Sequence, residues 1–270
     1  MEPITFSQCL DGAWQDAFRA FKKMPLMFAL IVLINLALMH HGDQILLRTL
    51  QTGALSQSNG SHRLLDFTFR LAYSLMMYVA VAYITVRVTR LTLSGDKNTR
   101  PIAIVLRYIL LYLIFAGVAV GGMALAGVAL AIFGRLFHLV GWGRGPWTIL
   151  AFLVMVPAVV SFWFASTRLI LLFPHVANGG GRRWRNAWDD TRGHVWSIYG
   201  TLFLTLLPVA LLSGFLAIGR ALILKLQAET QPIYIGCTIL ITVTAAFTWA
   251  LGATSLCWIY KRYAKTLLQI

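Results

Sequence analysis

Acidic residues are scarce in this sequence: nine Asp and Glu occur in 270 residues, and all of them lie outside the long apolar runs. A proton-coupled transporter needs a titratable group inside its spans, and no carboxylate is placed for that role. Cysteine is equally sparse. Cys9, Cys237 and Cys257 form no CxxC pair, which excludes a disulfide framework and a zinc ribbon and leaves them as small apolar fillers. No HExxH helix, Walker loop or GxSxG elbow is present, so the familiar hydrolase and nucleotide-binding chemistries have no residues to rest on. The sequence is accordingly read as non-catalytic and without a cofactor.

Apolar residues are what the chain has in excess. They make up 59% of it against 12% charged, with a mean hydropathy of +0.74. Soluble domains run nearer half apolar and a quarter charged. The balance points to an integral membrane protein. A formal charge of +14 would suggest nucleic acid in a soluble protein. Beside so much apolar sequence it suggests contact with anionic lipid instead.

A span needs about 20 mostly apolar residues. Six candidates meet this: 24–41, 67–89, 107–133, 147–173, 195–219 and 233–259. The first run ends in His40-His41 rather than in small residues, so a span is expected there and not a cleaved signal. Sixteen Lys and Arg fall on the side of both termini and seven on the other, which by the positive-inside rule places both termini in the cytoplasm. The connection 42–66 then reads as an outward polar loop, its Asn59-Gly60-Ser61 sequon an ordinary turn. His40, His41 and Asp43 are weak metal candidates there, because adjacent His rings diverge on regular backbone.

The expected fold is an all-α integral membrane protein, a six-transmembrane-helix bundle of three hairpins with amphipathic interfacial helices. It forms one membrane domain. Residues 1–23 are an N-terminal amphipathic helix, 24–93 the first hairpin, 94–176 the second, 177–194 a mid-chain interfacial segment, and 195–270 the third hairpin with a basic tail. Thr5 and Gln8 have capping-box spacing, and Leu10, Trp14, Phe18 and Phe21 recur at helical intervals. Trp14, Arg19, Lys22, Lys23 and Trp184 are expected interfacial anchors. In the mid-chain segment Trp184, Trp188, Thr191 and Val195 form a stripe, with Arg185, Asp189 and Arg192 at ion-pair spacing. Ala13-Trp14-Gln15-Asp16 matches Ala187-Trp188-Asp189-Asp190 in register, and Tyr83/Arg87, Phe164/Arg168 and Trp258/Arg262 share a spacing of four. Both hint at a degenerate hairpin repeat. Gly117, Gly121 and Gly122 read as a close helix-packing stripe.

Pro157, Arg168, Pro174, Ala187-Trp188 and Thr191-Arg192-Gly193, within this layout, resemble the membrane domain fused to some bacterial glycerophosphodiester phosphodiesterases and its stand-alone inner-membrane relatives. The resemblance implies a bacterial cytoplasmic membrane. It carries no catalytic activity with it, since no segment here could form the phosphodiesterase barrel.

Arg168 lies deeper than orientation requires. At midplane such a charge costs about 2.5–3.5 kcal/mol on insertion scales, and near a span end it can snorkel. The leading expectation is a basic cytoplasmic face, comprising Arg168, His175, Arg182, Arg183, Arg185, Trp188 and Arg192, that binds anionic phospholipid or a partner membrane protein, with a homo-oligomer also open. The alternative is a transporter or flippase-like protein gripping an anionic amphiphile with Arg168 and His175. An enzyme acting on lipid headgroups would have to use Asp189, Asp190 and His194.

Overall fold

The computed structural model describes residues 4–52, 60–95, 101–139, 144–225 and 232–267, which form nine helices and, among the described residues, no strand. Thr5 caps α1 (Phe6–Lys23): the Gln8 amide donates to Thr5 Oγ1 at 3.4 Å and the Thr5 amide to Gln8 Oε1 at 2.8 Å. Pro25 ends α1 by disfavouring helical backbone at Met24, then serves as the first residue of α2 (Pro25–Thr52), and the chain bends by 90° between them. Then come α3 (Gly60–Ser94), stopped by Gly95 at φ 66°, and α4 (Pro101–Leu139). After them α5 (Arg144–Leu169), α6 (Leu172–Ala177), α7 (Trp184–Asp190), α8 (Val195–Lys225) and α9 (Pro232–Tyr263) complete the order.

Among the described residues, four helical segments are long and apolar enough to cross a membrane: Ala72–Ser94, Ile102–Leu125, Val195–Ile223 and Pro232–Tyr263. A fifth is reached if α1 and Pro25–Ala37 count as one bent span. Several boundaries differ from the sequence expectation. The loop expected at 42–66 is helical at 42–52 and 60–66, since the end of an apolar run ends a candidate span without having to end a helix. The over-long third run is one helix of 39 residues, about 58 Å at 1.5 Å per residue, nearly twice the hydrocarbon thickness. The helix in the run expected to span 147–173 ends at Leu169, with a turn at Ile170-Leu171 before α6.

The chain divides into two compact units, Met1–Thr99 with Gly200–Arg262, and Arg100–Tyr199 with Tyr263–Ile270. In the first, α1 is packed against α9. Its docking face is Cys9, Ala13, Ala17 and Ala20, each at most 1% exposed. Ala20 shares a core with Phe28, Ile31, Ile84, Val88 and with Ala246, Ala250 and Ala253 of α9, and Ala13 and Ala17 share one with Val209 and with Leu251 of α9. Small residues on both helices let the backbones approach closely enough for the Thr254 hydroxyl to donate to the Ala13 carbonyl at 2.9 Å. The expected aromatic stripe lies about 100° round the helix from this face. Phe18 is 52% exposed, and Trp14, Phe18 and Phe21 gather around Phe247 with ring centroids 5.7, 4.9 and 6.3 Å away. So α1 is seated in its unit by alanines, and the aromatics flank the seat.

In the second unit Tyr108 and Phe115 of α4 pack on Phe173 of α6, at 5.6 and 5.1 Å. Leu171, Leu172, Val176, Ala177, Ala187 and Ile198 are also buried in this unit. Among the described residues no atom lies within 4 Å of a Cβ added at Gly117, Gly121 or Gly122.

Candidate functional site

Of the residues singled out around Arg168, the structure brings Arg168 and Trp188 into contact where the ends of α5 and α7 meet, and two backbone devices shape this region. The first is the end of α6. Asn178, Gly179 and Gly180 amides donate to Pro174, Val176 and His175 carbonyls at 3.0, 3.0 and 2.9 Å. Gly179 has φ 96°, and a Cβ on Gly180 would overlap the His175 ring. Two glycines are therefore needed in succession, one for its backbone and one for the space it leaves. The second device is the exit from α7. The expected amphipathic segment 177–194 is helical only over seven residues, Trp184–Asp190. Thr191 then sits in a turn, and Gly193 at φ 80° turns the chain into α8.

Thr191 is fully buried, with its hydroxyl within reach of three carbonyls: Arg168 at 2.9 Å, Ala187 at 3.0 Å and Trp188 at 3.1 Å. Arg168 answers from the other side. Its Nη1 donates to the Trp188 carbonyl at 3.2 Å, and its guanidinium carbon lies 4.9 Å from the Trp188 ring and 5.1 Å from that of Phe164. The end of α5 and the end of α7 are thus locked together reciprocally. The Arg168 charge is satisfied in part by a carbonyl and two ring faces, which is a third option beside snorkelling and anion binding.

His175 is buried and has different neighbours. Burial, and then the nearby Arg183 charge, lower its pKa from the ordinary 6.5. It is neutral at pH 7 and adds no positive charge to an anion-gripping pair with Arg168. Arg182, Arg183, Arg185 and Arg192 are all exposed, and Trp188 is 39% exposed. Trp184 is stacked on Phe115, with centroids 5.9 Å apart and planes 23° from parallel, so this anchor faces its own unit. The ion pairs expected of Asp189 do not form: among the described residues the one ion pair is Arg19–Asp16, at 3.1 Å. Lys22 and Lys23 are exposed in the last turn of α1, where cations complement the helix dipole.

Asp190 has a structural task. Its carboxylate accepts from the Thr266 amide and hydroxyl, both at 2.9 Å, and from the Leu267 amide at 3.1 Å. His194 packs on Tyr263 at 4.9 Å. Asp16, its register mate, accepts from the Trp258 indole at 3.0 Å. Ala13 and Ala187 are both fully buried. In each unit the Ala-Trp-x-Asp stretch therefore supplies a small docking residue and a carboxylate that fastens a C-terminal segment. The sequence reading did not single out Asp16 or Trp258 as partners, because nothing local marks a contact across more than 240 residues.

Among the described residues no three His, Cys, Asp or Glu side chains gather to hold a metal. His40, His41 and Asp43 have side chains outside the described residues. Compared with known proteins, the chain matches no family model, no curated protein and no solved structure.

Proposed function

We propose that this is a non-catalytic inner-membrane protein with six spans in three hairpins and both termini cytoplasmic, which binds anionic phospholipid through the basic segment around α7. One observation carries the reading: Arg182, Arg183, Arg185 and Arg192 are all exposed within eleven residues, and none is in an ion pair among the described residues. Each such side chain adds about 1 kcal/mol of attraction to an anionic surface, so four give about 4 kcal/mol, near a thousandfold in partitioning. Trp188 at their centre, partly exposed, suits a headgroup-level anchor. Native mass spectrometry of the protein purified with equal phosphatidylglycerol and phosphatidylcholine tests this. Retention of the anionic lipid is expected, and replacing the four arginines with Gln should abolish the preference. Equal retention of both lipids by the unaltered protein would overturn the reading.

A second reading, movement of an anionic amphiphile past Arg168, draws on one observation: its Nε is buried without a hydrogen-bond partner. In proteoliposomes Arg168→Gln should then abolish flux of a fluorescent anionic lipid, and unchanged flux would end that reading. A membrane-protein partner or a second copy of the chain on the same basic face would appear in the same mass spectra as a protein complex.

A further inference from the structure

A polar cleft of about 260 Å³ opens in the first unit between α1, the end of α3 and the end of α9. Its working groups are Gln15, Asp16, Arg19, Thr92, Trp258 and Lys261. Gly12 is what permits it, since a Cβ there would overlap the Trp258 indole and push that ring away.

The indole organises the charges. Its N–H donates to Asp16 Oδ2 at 3.0 Å, while Asp16 Oδ1 takes Arg19 Nη1 at 3.1 Å. The Lys261 ammonium lies 4.7 Å from the ring centroid and donates to the Thr92 carbonyl at 3.2 Å. Two cations face one carboxylate, leaving one net positive charge in the cleft. Both cations have donors to spare. A guanidinium carries five N–H groups and an ammonium three, and each here spends one on the protein. The Asp16 side chain is 13% exposed and that of Arg19 is 62% exposed, so the carboxylate sits at the back and the guanidinium at the mouth.

Thr92 adds a polar group of its own. Thr85 and Ser94 on the same helix donate back to the carbonyl four residues earlier, at 2.8 and 3.1 Å. The Thr92 hydroxyl makes no such bond and is buried without a partner. Size limits the occupant, because clefts that enclose a drug-sized ligand run to roughly 300–1,000 Å³. One small anion with a few attached atoms is what this volume takes. Leu91, Thr92, Trp258 and Lys261 lie at the ends of two candidate spans, which is headgroup level.

We propose that this cleft is a binding site for a phosphate monoanion, either the phosphodiester of a phospholipid headgroup or free phosphate. Lys261 and Arg19 carry its charge, Gln15 and Thr92 hydrogen-bond its oxygens, and the Trp258 face and Leu91 border the carbon next to it. The site lies apart from the arginines around α7 and does not depend on their binding lipid, so either proposal can fail alone.

The test is isothermal titration of the full chain in neutral detergent, with dihexanoylphosphatidylglycerol below its micelle concentration and separately with inorganic phosphate. One saturable site is expected. Lys261→Gln and Arg19→Gln should each weaken it at least about tenfold, the loss of one charge-assisted bond, with thermal unfolding unchanged. Arg19 reaches into solvent, so Arg19→Gln keeps the test decisive should Lys261→Gln unfold. Tighter binding of the glycerol lipid identifies a headgroup site, and equal binding identifies a phosphate site. No saturable binding of either probe, or variants that bind as the unaltered chain does, would overturn the proposal.

Discussion

The lock between α5 and α7 makes a quantitative prediction. Arg168→Met removes one charge-assisted hydrogen bond to the Trp188 carbonyl and the contact of the guanidinium with two rings. The bond is worth about 1.5–3 kcal/mol and the ring contacts about 0.5–2 kcal/mol. Arg168 is only half-buried, so the low ends apply and the expected loss is about 2–3 kcal/mol. Thr191→Val keeps the side-chain shape but deprives the Arg168 carbonyl of its donor in a buried site, a loss of about 1–3 kcal/mol. Because each substitution breaks the same junction, the second should cost less once the first is made. The double variant should fall short of the sum of the singles by about 1 kcal/mol, within the range for residues sharing one network. Unfolding in mixed detergent and dodecyl sulfate, followed by tryptophan emission, measures the three free energies. Additivity within about 0.3–0.5 kcal/mol would show that the two contacts are independent and refute the reciprocal lock.

Two further outcomes follow from neighbouring contacts. His175 has a folded-state pKa below its ordinary 6.5, so its contribution is complete above pH 6.5 and is lost as pH falls from there through the folded value. The melting temperature should therefore drop between pH 7.5 and 5.5, and His175→Gln should show a smaller drop; an equal drop would place the sensitivity elsewhere. Asp190→Ala removes three hydrogen bonds that hold Thr266 and Leu267. Amide exchange at those two residues should speed up at least about tenfold, given the strength of bonds to a charged acceptor, while exchange within α4 stays as it was.

Much of the helical layout was legible because helix caps and apolar length are local properties. The Thr5–Gln8 capping box formed as its spacing predicted, and Pro101 begins a helix as a first-turn proline should. The expected loop at 42–66 was misread for a physical reason: leaving the apolar run says where a span ends, and a helix can continue past that point. In the segment 177–194 the tertiary contacts set the length of the helix. Its Trp and Arg spacing suits a long helix, yet Thr191 finds carbonyls on α5 and Gly193 turns the chain, so the helix stops at Asp190.

From the sequence alone came the membrane character, the all-helical class and the concentration of cations near certain helix ends, since apolar length and charge do not depend on long-range contacts. Tertiary structure alone decided which face of α1 is seated. Buried alanines form the close-approach face of α1 toward α9, because only small side chains let two helices approach closely, while Trp14, Phe18 and Phe21 pack beside it on Phe247. It also decided what the charges do. Arg168 is spent on Trp188 and Phe164, Asp190 on Thr266 and Leu267, and Asp16 on Arg19 and Trp258. The scarcity of acids therefore has a structural meaning: two of the nine carboxylates fasten C-terminal segments, and the four arginines around α7 have no ion pair within the described chain.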